Sequence, residues 1–479
     1  MSGPRRVLVV GGGVTGWSAA AALKRRVPML DVAILPVAPP ADALADRVAS
    51  TLPSILGFHD DLGIGIDDAV LRTGSAYRLG TRFLGWSGDS ADAGDYLHAY
   101  GPHGQAMGSA PFHLLWARAA ATGSVAPFHA FSAAAAMAAA GRFMLPQAEG
   151  PFAEHGFGLV LDLPRYTAML AAFCRHVGVR VEQGTLAGTI PAPEGGIAAV
   201  ARDDGSTLVA DLYLDCTGPA ARLHGTLGAA REDWRRWLPC DRLLLSPAMP
   251  AELSAVETVE AEAAGWQWHG ALQSGRVFTS AEPAAQGEPI AIDPGATLEP
   301  WRHNVIAIGD AAVSIEPLEW TNLHLAHSAI DRVITMLPAG APHPLEQAEY
   351  NRQSLAEARR ARDFVLLHYV TSRRKGAFWQ DIASTEPPES LARTLRLFRE
   401  RGRLPFYEEE TFDRDSWLAV LFGQGVRPRR IDPLADAVPP AEAEHAMHAI
   451  RARLAQAIAP LPTPAVFRAA QLRQLHERA

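Results

Sequence analysis

The sequence predicts an α/β chain in which a Rossmann-like domain is interleaved with a second domain and followed by a helical C-terminal layer. Three observations predict it. A strand, Val7 to Val10, runs into Gly11-Gly12-Gly13-Val14-Thr15-Gly16 and an alanine-rich helix. A second apolar strand, Asn304 to Ile308, ends late in the chain in Gly309-Asp310-Ala311. From Leu345 the character changes to arginine- and leucine-rich helices, interrupted near Pro387-Pro388 and Pro405 and continuing to Ala479. At 479 residues the chain is too long for one compact core and suits two interleaved domains plus a tail.

The elements follow in order. The opening from Arg6 to Arg25 and a strand at Asp31 to Leu35 begin a βαβ unit. Proline-rich residues 36 to 41 lead on to a Gly-, Asp-, His- and Trp-rich stretch from Gly85 to about Ala126, expected as loops and short helices. Leu163 to Val177 reads as a helix, with Tyr166, Met169, Leu170 and Phe173 spaced for one buried face. Strand-like alternation fills Arg180 to Leu214, closing in Asp215-Cys216-Thr217-Gly218. No internal repeat is visible.

Composition excludes several classes. With 48% hydrophobic and 20% charged residues and a formal net charge of −8, nothing suggests nucleic acid or an anionic membrane surface. The run Ser132 to Ala140 is too short and alanine-rich to span a bilayer, and Met1 to Arg6 leads into a strand rather than a secretory signal. Cys174, Cys216 and Cys240 lack metal-ligand spacing, so a reducing, cytoplasmic setting is the expectation. His324 and His327 follow Glu316 and Glu319 without the Glu-x-x-His spacing of metal bundles, so they are expected to line a tunnel or the helix surface, with no metal bound.

The chemistry of the glycine loop is readable. Gly11 permits the tight turn, Gly13 lets backbone approach a diphosphate, and Gly16 lets helix lie on strand, so that the helix N-terminus faces the anion. A strand ending in Gly309-Asp310 is what FAD enzymes of the glutathione-reductase type add to that loop. The acidic ribose partner expected at the end of the second strand is absent: Pro36 stands there. Weaker FAD affinity, or ribose contacts from other groups, should follow.

Further landmarks extend along the chain: Leu238-Pro239-Cys240-Asp241-Arg242, Gly265-Trp266-Gln267-Trp268, Tyr350-Asn351-Arg352, Arg362-Asp363-Phe364 to Tyr369, Phe378-Trp379, and Ser416-Trp417 through Gly423-Gln424-Gly425. In this order they resemble the flavin-dependent tryptophan halogenase family nearly end to end. The resemblance implies an FAD-binding domain of the glutathione-reductase/aromatic-hydroxylase type in segments 1–84, 155–225 and 301–345. Substrate-domain segments are then expected at 85–154 and 226–300, the latter a sheet carrying W-x-W, and a helical region at 346–479. It implies that reduced FAD from a separate flavin reductase and oxygen convert chloride or bromide to hypohalous acid, which passes internally to an indole or other electron-rich aromatic. The absence of a second dinucleotide loop agrees with an external reductase. Cofactor contacts carried over are Gly11, Gly13, Gly16, Thr51, Leu186, Gly309 and Asp310, with halide at Thr321 and Asn322. Glu319 matches the family's catalytic glutamate, and Arg78 occupies the position of its catalytic lysine.

That arginine matters, because a guanidinium stays protonated and offers only donors. Arg78 is thus expected to donate to hypohalous acid or to clamp Glu319. Other departures accompany it. Asp46-Arg47-Val48-Ala49-Ser50-Thr51 stands where the family has Gly-Val-Gly-Glu-Ala-Thr, Trp320-Thr321-Asn322 where it has Ser-Thr-Gly, and Gly270-Ala271 where Ile-Pro follows W-x-W. Trp266 and Trp268 read equally as a guard against ordinary oxygenation or as core residues on alternate strand positions. Three readings stay open: a halogenase, a flavin monooxygenase or oxidase on the same scaffold, and a silent paralogue that binds a ligand or partner. Substrate and halide preference are unreadable, and a homodimer is left open.

Overall fold

The structure, a computed structural model, describes residues 6–88, 94–123, 125–248, 253–282 and 287–478. The chain divides into two units, the first comprising Met1–Ser75, Leu161–Leu244 and Pro283–Arg359, the second Ala76–Val160, Leu245–Glu282 and Arg360–Ala479. The exchange points differ from those expected. Residues 76–84 belong to the second unit, and 226–244 and 287–300 to the first. The cause is pairing: the strand Gly80–Leu84 lies parallel to Val256–Glu262, a partner too distant in sequence to be read from local pattern.

The first unit is built on a parallel sheet. Strand β1 (Arg6–Val10) pairs with β2 (Asp31–Leu35) on one side and with Leu212–Asp215 on the other, which pairs in turn with Val305–Ala307. Helix α1 (Val14–Arg26) crosses between β1 and β2, and its alanines at 19 to 22 are fully buried. Those small side chains let α1 lie close to the sheet. The tightest point is Gly16, where a Cβ would stand 2.1 Å from the Gly11 carbonyl oxygen. Leu8, Val10, Ala33, Leu35, Leu186, Val200 and Tyr213 form one core beneath the sheet. The helix Leu163–His176 forms as read, capped by Asp162, but its buried face is Tyr166, Leu170, Ala171 and Cys174 rather than Met169 and Phe173.

The second unit has an antiparallel core, Val256–Glu262, Gly265–His269 and Gln273–Phe278, extended by Gly80–Leu84 and Tyr96–Ala99. Tyr96–Ala99 corrects the expectation of loops and short helices for 85–126, of which 89–93 and 124 lie outside the described residues. The C-terminal helices, Ala377–Ser384, Glu389–Arg401, Arg414–Gly423, Pro440–Ile458 and Pro464–Arg478, break at the expected prolines. Among the described residues, no helix is long and apolar enough to cross a membrane. All three cysteines are buried thiols.

Gly16→Ala should lower stability by about 1–3 kcal/mol, since neither contacting backbone can yield without parting α1 from β1. Chemical denaturation measures it.

Candidate functional site

The glycine loop is fixed first by backbone. Gly11 N–H donates to Leu35 O at 3.0 Å and Gly12 N–H to Val37 O at 2.6 Å, which ties the turn to the segment after β2. Gly13 is the N-cap of α1 and carries no capping side chain. A donor of the first turn is met from elsewhere: Asp46 Oδ1 accepts from Thr15 N–H at 2.7 Å. The carboxylate lies directly over Gly13, where a Cβ would come within 2.4 Å of it. Asp46 is buried, and burial outweighs the bond from the Thr15 amide, pushing its pKa up to about 6.

Gly309-Asp310 closes the same place from the other side. Gly309 takes φ +64°, and Thr15 packs on it. Asp310 Oδ2 accepts from Ala45 N–H at 2.7 Å in the turn Leu44–Asp46. Burial raises the Asp310 carboxyl well above the usual carboxylate range, and the Asp46 charge adds to the effect against the Ala45 bond. Thr15 Oγ1 and Asp310 Oδ1 are both buried without a partner among the described residues.

Such unanswered atoms beside a glycine turn suit a flavin's hydroxyl and phosphate oxygens. The fit to FAD therefore holds at the loop, Thr15 and Asp310, and fails at one group, Asp46, which stands where a diphosphate would approach Gly13. Thr51 is buried, and Pro36 offers no polar side chain at the end of β2. Leu186 belongs to the core, with its carbonyl accepting from Arg222 at 2.6 Å.

The segment Pro317 to Asn322 is strained. Glu319 and Trp320 take φ +66° and +61° in succession, a left-handed conformation that costs a non-glycine residue about 1–2 kcal/mol each. The result is a buried Glu319 immediately before helix Thr321–Thr335, which has no side-chain cap. Thr321 Oγ1 and Asn322 Oδ1 are buried without a partner among the described residues, while Asn322 Nδ2 donates to Ile315 O at 2.9 Å. The helix N-terminus thus sets uncapped amides beside a buried hydroxyl, a setting whose dipole favours negative charge. His327 is a core residue rather than a surface one: its ring stacks on Phe58 at 3.8 Å, and burial holds its pKa well below normal. His324 bonds Ser54 Oγ at 2.7 Å and lies 3.4 Å from Glu357.

In the second unit Arg78 is fully buried and tethered by side chains. Its Nε donates to Glu257 Oε2 at 2.5 Å, Nη1 donates to Tyr100 Oη, and Nη2 to Thr81 Oγ1. Glu257 was not legible as a partner, yet a signal for it existed. Gly270 stands against the same carboxylate, where a Cβ would lie 2.5 Å from Glu257 Oε1. The glycine that replaces the family's Ile-Pro thus makes room for the arginine's counter-ion. Trp266 and Trp268 sit at alternate positions of Gly265–His269, both fully buried, with ring centroids 5.6 Å apart.

A glycine-turned parallel sheet, an unanswered hydroxyl and carboxylate beside it, and a buried glutamate before an uncapped helix define a flavin-dependent oxidoreductase. Residues 6–440 match the tryptophan halogenase family, and the chain belongs to it. It is similar to the tryptophan 6-halogenase SttH of Streptomyces toxytricini, 25% identical over 96% of this chain and 97% of the relative. Among solved structures, BrvH, a flavin-dependent halogenase from Brevundimonas sp. BAL3, superposes with a TM-score of 0.90 at 32% identity over 98% of this chain and 99% of its own. Xcc4156, a flavin-dependent halogenase from Xanthomonas campestris, gives 0.87 at 32% identity over 97% and 98%. The protein is thus an enzyme of the FAD-dependent halogenase class.

Both buried carboxylates can be probed through stability. Because Asp46 binds its proton more tightly folded than unfolded, the stability linked to that proton is present below the unfolded pKa near 3.8 and lost as pH rises through about 6. Asp46→Asn should therefore melt progressively higher than the parent between those values, by up to about 3 kcal/mol in stability. In denaturant, Glu257→Ala should cost about 3–5 kcal/mol and Arg78→Met/Glu257→Ala much less than the sum of the single changes, because a lone buried charge is worse than none.

Proposed function

We propose that the protein halogenates an indole or related electron-rich aromatic, using FAD reduced by a separate flavin reductase, oxygen, and chloride or bromide. The observation that carries this is the left-handed turn at Glu319-Trp320, which sets a buried carboxylate at the head of an uncapped helix. Relatives named as halogenases support the reaction class. Reduced flavin, when bound with oxygen, supplies the oxidising equivalent that makes halide electrophilic.

The chain supplies the rest. The loop Gly11 to Gly16, the Thr15 hydroxyl and the Asp310 carboxyl would hold the flavin's diphosphate and hydroxyl-bearing chain. Amides at Thr321 and Asn322, helped by the helix dipole and the Thr321 hydroxyl, hold the halide. As the ring carbon gains its halogen and loses its hydrogen, Glu319 accepts that proton, the step a buried carboxylate serves as general base. Arg78 acts as a donor to the halogenating species and not as a nucleophile, because a guanidinium paired with Glu257 keeps its proton.

Incubated with FAD, a reductase system, bromide and a panel of indoles, the protein should yield a monobrominated product by mass spectrometry. Glu319→Gln should lower that rate by about 10²–10⁴-fold with folding intact. An oxygenated product formed equally without halide would overturn the proposal in favour of a monooxygenase.

A further inference from the structure

Asp46 fills a role that the flavin site does not ask for. Its carboxylate satisfies the Thr15 amide at the head of α1 and covers Gly13, which is the approach a diphosphate needs. The turn Leu44–Asp46 carrying it is pinned by Asp310 through Ala45 N–H, so one short segment engages both halves of the site. A phosphate oxygen and the Asp46 carboxylate compete for the same N–H, and two anions do not share it. Resting on the flavin reading, we propose that Asp46 is an internal competitor for the diphosphate of FAD, so that the cofactor binds by displacing or neutralising this side chain.

The surrounding groups leave the competition to Asp46. Arg47, its neighbour, turns its guanidinium to Pro39 O and Pro40 O, at 2.6 and 3.2 Å, and its charge is the weakest of the influences on the Asp46 carboxyl. Asp310, Asp42, Asp215 and the Cys216 thiol face the region and add negative or neutral groups only. Helix Thr321–Thr335 packs on the same turn, and its titratable side chains are engaged elsewhere: His327 with Phe58 and Ser18, His324 and Arg332 with Glu357, Asp331 with Arg26. None of these groups is a cation turned toward Gly13 to offset a diphosphate brought against an ionised Asp46. A protonated Asp46 instead can donate to a phosphate oxygen, and burial already holds its pKa near 6. FAD therefore binds more tightly in acid than in base.

The test is the dissociation constant of FAD for the purified full chain, followed by flavin fluorescence at about pH 5.5 and about pH 8, with Asp46→Asn and Asp46→Gly alongside and folding checked by circular dichroism. The parent should bind at least about tenfold more weakly at the higher pH, because a carboxyl with its pKa near 6 is mostly protonated at the lower pH and only about one part in a hundred protonated at the higher. Both variants should bind with little pH dependence and more tightly than the parent at the higher pH. Asparagine removes the charge while keeping the size; glycine removes the side chain as well. Equal constants for parent and variants at both pH values overturn the inference and leave the flavin reading standing. Saturable binding by none of the three folded proteins overturns both.

Discussion

The first unit depends on how the N-terminus of α1 is satisfied. Close packing of α1 on β1 through Gly16 leaves the first-turn amides aimed at a buried space, and buried donors demand an acceptor. A carboxylate from the segment after β2 answers one of them. Beside that bond lie the turn at residues 44 to 46, whose Ala45 N–H engages Asp310, and two neighbouring carboxyls whose proton affinity burial raises against their hydrogen bonds. A diphosphate is the other acceptor the same amides can take, and so the fold's local satisfaction and its cofactor chemistry meet in one hydrogen bond.

A similar logic governs the second unit. Arg78 keeps a buried charge where the family resemblance places a lysine, and a buried guanidinium requires a counter-ion and acceptors. Glu257, Tyr100 and Thr81 provide them, and Gly270 leaves the space Glu257 needs. Departures that look independent along the sequence are therefore one change in space.

Much of this was legible in the sequence where the signal was local. The glycine loop, the strand before Gly309-Asp310, the helix from Leu163 and the proline-broken C-terminal helices all announce themselves within a few residues. Exchange points between the units were not legible, because they depend on Gly80–Leu84 pairing with Val256–Glu262 across most of the chain. Neither was the Arg78–Glu257 pair, 179 residues apart, nor the reach of Asp46 to Thr15. Asp46 stood out only as an acid in place of a glycine, and composition alone does not say what an acid touches. His327 misled for a related reason: a lone helical histidine carries no sign of the Phe58 ring that buries it.

The proposed contest of flavin and Asp46 for one amide is addressed directly by a crystal structure of the protein with FAD, grown at acidic pH. The expected result is a phosphate oxygen within hydrogen-bond distance of Thr15 N, with the Asp46 side chain turned out or donating to that phosphate. A diphosphate seated on the loop while Asp46 Oδ1 still accepts from Thr15 N–H and its carboxyl makes no bond to a phosphate oxygen would contradict it.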